Sequence, residues 1–296
     1  VGEFGLIERV TARLGTGPHV LLGPGDDAAL LRAPDGRVVA TTDVLVEGVH
    51  FRRDWSSGYD VGRKAAAQNL ADVMAMGGTG TALLVALVAP PDLPLDWALA
   101  LADGLRDEAA LVEAAVVGGD TSTGDRVVVA VTALGDLAGL PPVSRAGARP
   151  GDLVVVAGNL GRSAAGLARL QQGLRDGDDV ALHRRPQPPY ALGPELARAG
   201  ATAMCDVSDG LVADLGHVAR ASDVSIGLHR GRLRAVAGEV DLEHVLHGGE
   251  DHALAATVPP GTLLPAGVTA VGRVDSGPPA VLLDGEPVSG GWEHFA

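Results

Sequence analysis

The sequence predicts an α+β chain divided into two α/β domains, on three observations. Apolar β-branched runs alternate with longer Ala/Leu segments of helical spacing. The strands come as hairpin-like pairs as well as across helical crossovers, which favours α+β layers over a purely doubly wound sheet. A Pro/Gly-rich stretch, Ala138–Gly151, reads AGLPPVSRAGARPG and interrupts the apolar pattern near its middle. It predicts an N-terminal domain over residues 1–137, a hinge over 138–151 and a C-terminal domain over 152–296. The chain has 296 residues, 46% of them hydrophobic, and single cores stop growing near this length. Aromatics are only 3%, so Ala, Val and Leu must fill those cores.

In chain order, strands are expected at Val38–Thr42, Thr81–Val88, Val127–Leu134 and Leu153–Ala157. Later ones are expected at Ala203–Val207, Ala253–Val258, Val268–Val274 and Ala280–Leu283. Helices are expected at Val61–Met76, Asp96–Ala115, Ser163–Gln172, Ser208–Ala221 and, shorter, Leu242–Leu246. In the first of these, Val61, Ala65, Leu70, Val73 and Met74 can share one face. The strands at Thr81–Val88 and Val127–Leu134 are apolar on both faces, so neither face is meant for water. They predict a homodimer built from the N-terminal halves.

Composition excludes several roles. A net charge of −14 argues against nucleic acid and against an anionic membrane surface. No apolar run reaches the ~18 residues of a membrane helix, and the first residues carry no secretory pattern. A single cysteine, Cys205, cannot form an internal disulfide and reads as a small buried hydrophobe. Together these predict a cytoplasmic protein. Lys64 is the sole lysine, and no Gly-Lys-Ser/Thr tripeptide exists, so any ATP is handled without a P-loop.

The informative residues are the aspartates, which fall after apolar strands or inside Gly-rich turns. They lie in Gly25-Asp26-Asp27, Thr41-Thr42-Asp43, Asn69-Leu70-Ala71-Asp72 and Gly118-Gly119-Asp120-Thr121. Two further motifs are Asp206-Val207-Ser208-Asp209-Gly210 and Gly248-Gly249-Glu250-Asp251. Any one of them is an ordinary turn, and Ser208 or Asp209 would be an ordinary N-cap. Six together suit a hard cation, because magnesium takes oxygen ligands from carboxylates and substrate phosphates. Converging carboxylates without a cation repel by ~4 kcal/mol per pair at 4 Å and an effective dielectric near 20. The loop Gly158–Ser163 before a helix could face phosphate, though a lone Gly-rich turn is weak evidence.

The ordered set GPGDDAALL, TTDVLVEGVHF, NLADVMAMG, VVGGDT, SRAGARPGD, DVSDGL, HGGEDHAL and GWEHF resembles the thiamine-monophosphate kinases over nearly the whole chain. The resemblance implies the fold of the aminoimidazole ribonucleotide synthetase superfamily. There an N-terminal sheet forms a dimer barrel and a C-terminal α/β domain closes over the nucleotide. It implies Mg²⁺- and ATP-dependent phosphorylation of thiamine monophosphate to the diphosphate, by direct in-line transfer without a phosphoenzyme. By the same resemblance Asp27, Thr41, Thr42, Asp43, Asp72, Asp120, Asp206 and Asp209 hold several Mg²⁺ ions, with Asp72 bridging and Asp26 fixing the turn. Gly119, Asp120, Arg145 and Ser208 would contact ATP, and His50, Glu250 and Trp292 the acceptor. No general base is expected, since the acceptor is already an anionic phosphate. The sequence departs from the family in Ala71, where a serine is common, and in lacking an aromatic near Ala102-Asp103-Gly104, which leaves the adenine pocket unassigned. Two rival readings are a superfamily relative such as aminoimidazole ribonucleotide synthetase and a non-catalytic metal- or nucleotide-binding protein.

Overall fold

A computed structural model describes residues 8–23 and 28–292. The chain forms two compact units. The first comprises residues up to Val73 and Thr79–Ala138; the second comprises Met74–Gly78 and everything from Gly139 onward.

In the first unit, strands β1 (Val20–Leu22) and β2 (Leu30–Leu31) pair as a small antiparallel ladder. The main sheet has four strands, β3 (Val39–Val46), β4 (Thr79–Ala89), β5 (Ala115–Thr123) and β6 (Val128–Asp136), in the order β3-β6-β4-β5. Only the β4–β5 pair is parallel, and helix α2 (Leu95–Ala110) connects its strands. Helix α1 (Gly58–Ala75) precedes β4. The two helices pack backbone to backbone. A Cβ at Gly62 would strike the Leu101 carbonyl, and one at Gly104 the Tyr59 carbonyl. Along β3, Thr41, Asp43 and Leu45 are covered while Ala40, Thr42 and Val44 are exposed, as strand alternation requires. The exposed face stays apolar in part, with Val44 44% and Leu84 38% exposed.

The second unit holds a seven-stranded sheet in the order β13-β12-β9-β11-β7-β10-β8. Its strands are β7 (Leu153–Ala157), β8 (Ala203–Val207), β9 (Ser225–Leu228), β10 (Ala253–Val258), β11 (Val268–Asp275), β12 (Ala280–Leu283) and β13 (Glu286–Val288). All pairs are antiparallel except β9–β12. Its helices are α3 (Arg162–Gln171), α4 (Asp178–Arg184), α5 (Leu192–Arg198), α6 (Leu211–Ser222), α7 (Arg230–Ala237) and α8 (Leu242–His247). Every residue of β8 and β10 is buried, and these strands read as apolar runs broken only by Asp206 and Thr257. The core joins Val154, Val156, Cys205, Val207, Leu211, Leu215 and Ile226, and Cys205 sits inside it as a hydrophobe. Burial raises its thiol well above the usual range.

The expected strands and helices are present with shifted ends. β3 runs on through Asp43 to Val46, and α2 stops at Ala110, because Ala115 already starts β5. The helix expected from Ser208 begins at Leu211. Ser208 and Asp209 lie in the turn before it, and its N-cap position is Gly210, at φ 116° with no side-chain cap.

Candidate active site

In the first unit the sheet edge β3 and helix α1 build one acidic cluster. Thr41 and Asp43 point to the same, helix-covered side of β3. The Thr41 hydroxyl donates to Asp72 Oδ2 at 2.7 Å. The Asp43 backbone N–H donates to Asn69 Oδ1 at 3.0 Å, and the fully buried Asn69 in turn donates to the Ala65 carbonyl. Asn69 and Asp72 are three residues apart on α1 and so face β3 together. Thr42 points to the other side, where its hydroxyl donates to the Val131 carbonyl at 3.0 Å. Its side chain does not join Asp43.

Asp120 lies on β5, at the opposite edge of the same sheet. Across the sheet Asp43 is in register with Val131, Val85 and Gly119. Three interstrand steps put β3 and β5 about 14 Å apart. Asp120 is exposed, and its Oδ1 accepts from the Thr121 N–H at 2.9 Å. Gly119 has a packing reason of its own, because a Cβ there would run into the Val85 carbonyl oxygen.

The turn after β3 presents His50. Its Nδ1 accepts the Val46 N–H at 3.0 Å, so the ring proton sits on Nε2 as a donor. The buried Lys64 supports this turn by donating to the His50 carbonyl at 3.2 Å.

In the second unit three separated motifs meet at the β8 edge of the sheet. The Glu250 N–H donates to the Ser208 carbonyl at 2.7 Å, and the Trp292 N–H to the Asp209 carbonyl at 2.9 Å. These bonds bring Ser208, Asp209, Glu250 and Trp292 to one place beside Asp206, the penultimate residue of β8. Asp206 is buried, and one of its oxygens lies 3.1 Å from His252 Nδ1. Trp292 is 55% exposed, so it is no core plug.

Sequence reasoning missed the carboxylates that hold these turns. Asp214, in the first turn of α6, reaches back to accept the N–H groups of Ser208 and Asp209, both at 3.1 Å. It fixes the turn before the helix, whose own N-cap position, Gly210, carries no side-chain cap. Burial, then the nearby charge of Asp206, raises its pKa to about 7. Asp251 accepts the N–H groups of Gly161 and Ser163 at the start of α3, and burial lifts its pKa to about 6. The anion position of the Gly158–Ser163 loop is therefore filled by the chain's own carboxylate. Arg162 is occupied as well, in an ion pair with Asp179. Only for Asp251 did a Gly-rich neighbour, Gly248-Gly249, hint at the role; Asp214 lies between Ala213 and Leu215. Arg145 stands on the same unit, its carbonyl accepting from Ser222 Oγ at 3.1 Å, and its charge draws the Asp214 pKa back down.

Asp27 and Asp26 lie outside the described residues. Among the described residues no group of three or more His, Cys, Asp and Glu stands close enough to hold a metal ion. The donor chemistry nevertheless suits magnesium. Asp43, Asp72 and Thr41 offer oxygens only, and Mg²⁺ is commonly bound by one or two carboxylates that leave positions for water and phosphate.

Comparison with known proteins settles the family. Residues 25–137 match the AIR synthase related protein, N-terminal domain, and residues 149–264 the AIR synthase related protein, C-terminal domain. The thiamine-monophosphate kinase of Mycobacterium tuberculosis is 48% identical across 100% of this chain and 92% of the relative. The chain belongs to the thiamine-monophosphate kinase family. The crystal structure of thiamine-monophosphate kinase from Stenotrophomonas maltophilia K279a superposes with a TM-score of 0.83 at 35% identity, over 97% of this chain and 98% of that one. The structure of AaThiL complexed with AMPPCP and TMP does so at 0.81 and 34% identity, over 99% and 97%. Kinase membership thus agrees with the motif set, and the AIR synthase-like two-domain fold with the layering expected from sequence. No helix among the described residues is long and apolar enough to cross a membrane.

Proposed function

We propose that this chain moves the γ-phosphoryl group of ATP onto the phosphate of thiamine monophosphate, in the cytoplasm, with Mg²⁺ bound. The observation that carries the reading is the 48% identity over the full chain to a thiamine-monophosphate kinase. The meeting of DVSDG, GGED and GW at one sheet edge supports it. In this reading Asp43 and Asp72, with Thr41, hold metal in the first unit, and Asp206 and Asp209 in the second. His252 orients Asp206 as partners of ligating carboxylates do. Asp27 and the backbone of Thr42 are proposed to complete the set. Bound Mg²⁺ supplies neutralisation of the facing phosphate charges.

The chain's own groups do the positioning. His50 offers Nε2–H to an acceptor oxygen. Arg145 and Ser208 on the second unit, and Gly119 and Asp120 on the first, are proposed to address the nucleotide phosphates. Glu250 and Trp292 meet the cationic, planar acceptor by charge and by a ring face. The acceptor phosphate is anionic near neutral pH, so no side chain need take its proton.

The separation of Asp43 from Asp120 supports a homodimer. The two residues stand on opposite edges of one sheet, and the exposed face between them carries Val44 and Leu84. Pairing with a second copy would cover that face and bring a β5 edge to a β3 edge. Light scattering should give a dimer at micromolar concentration for the wild type and a monomer for Leu84→Asp. A monomeric wild type would overturn the dimer.

The activity is tested by incubating the protein with Mg-ATP and, in parallel, thiamine monophosphate, thiamine and aminoimidazole precursors. Thiamine diphosphate and ADP should form from the monophosphate, with thiamine a poor acceptor. Turnover of an aminoimidazole precursor alone would overturn the reading.

A further inference from the structure

Behind Glu250 lies a buried polar chain that the reaction has not so far used. His183, on α4, is 5% exposed. Its Nδ1 lies 3.6 Å from Glu250 Oε2 and 3.0 Å from Ser163 Oγ. A carboxylate only accepts, so the arrangement favours a proton on Nδ1 directed at these two oxygens. Both contacts fall on the same ring nitrogen, so this is not a nucleophile relay, which would use one nitrogen on each side.

The frame around His183 is rigid. Ser163 is 2% exposed and its N–H is held by Asp251, while Arg162 next to it is paired with Asp179 on α4. A Cβ at Gly166 would strike the Asp179 carbonyl, so α3 and α4 meet at backbone distance. At the other end, Glu250 has its backbone fixed at φ 63°, with its N–H donated to Ser208. Only its side-chain torsions remain to be set. A glutamate side chain loses rotamer freedom when it is ordered. A partner that orders it beforehand removes that cost from ligand binding.

We infer that His183 is a positioning residue for acceptor recognition: held by Ser163, it orders the Glu250 carboxylate toward the cationic acceptor. The inference rests on the reading of Glu250 as an acceptor contact. It makes acceptor affinity, rather than the transfer step, depend on a side chain that does not touch the acceptor.

The test is steady-state kinetics of the full chain with Mg-ATP, varying thiamine monophosphate and ATP separately. His183→Ala should raise KM for thiamine monophosphate about tenfold, with kcat and the KM for ATP nearly unchanged. His183→Asn, whose amide can stand near the position of Nδ1, should recover most of the loss. Glu250→Ala should raise the same KM, and adding His183→Ala to it should change little further. If Glu250→Ala raises KM and His183→Ala does not, the inference fails while the reading of Glu250 stands. If Glu250→Ala leaves KM unchanged, the reading of Glu250 fails first. Should His183→Ala not fold, His183→Leu keeps the volume without the donor. Loss of folding in both, or a fall in kcat with KM unmoved, would overturn the inference in favour of a packing role.

Discussion

The two sheets place their acidic residues by different means. In the first unit one face of β3 is open, and its site residues are held by side chains: Asn69 to the Asp43 backbone, Thr41 to Asp72. In the second unit β8 and β10 are buried throughout, and the site residues are held by backbone bonds between loops. Buried carboxylates, Asp214 and Asp251, anchor those loops from below. The first arrangement puts chemistry and support in neighbouring side chains of one strand and one helix. The second separates them, so that a supporting carboxylate can be altered without removing a contacting one.

The sharpest way to break this contrast is Asp72→Asn. The change keeps the shape and an oxygen for the Thr41 hydroxyl but removes a charge. We expect turnover to fall on the order of 10²-fold or more while the metal-free melting temperature holds or rises. Near-normal turnover at limiting Mg²⁺ would show that Asp72 supports structure only and bridges no metal.

Asp214 tests the other side. Its folded pKa, about 7, lies above the unfolded value near 4, so the native state binds the extra proton between these pH values. Its contribution is fully present below about pH 4 and is lost as pH rises through 7. Asn cannot titrate. The stability of the metal-free wild type relative to Asp214→Asn should therefore fall by on the order of 3 kcal/mol from pH 4 to 7 in urea titrations. A pH-independent difference would mean that Asp214 is not buried with Asp206 as described. Asp251 titrates with the same sign over a narrower window, its folded value being about 6.

The smallest effect is expected at Arg162. Its ion pair with Asp179 joins side chains that are 31% and 29% exposed. Arg162→Ala should cost at most about 1 kcal/mol of stability and leave the KM for ATP unchanged. A tenfold rise in that KM would return the Gly158–Ser163 loop to the nucleotide site.

The sequence made the long elements legible because periodicity reports burial. The apolar run of β7 and the helical spacing of α1 needed nothing else. β5 escaped because Gly118 and Gly119 break its apolar run, although β4 pairs with it throughout. α4, α5 and α7, of 7, 7 and 8 residues, are too short to show a period. Among candidate site residues, the groups proposed to contact ligands come from ordered motifs in the sequence. The supporting ones were not legible, because their partners are backbone groups far along the chain. Gly161 lies 90 residues from Asp251. For Thr42 the reason is simpler: consecutive strand residues face opposite ways, so Thr42 and Asp43 cannot present side chains to the same ion, and only the Thr42 backbone is left for the proposed set.

Gly119 carries a warning for anyone who maps this protein by mutational scanning. It sits beside Asp120 in a motif that looks made for phosphate, yet its missing side chain is needed first by the Val85 carbonyl across the ladder. A survey scored on product alone would record every substitution there as dead and count the glycine among the reacting groups. Scoring soluble protein in the same survey would sort it instead with the folding lesions, apart from Asp120, whose side chain is exposed and meets no such backbone obstacle.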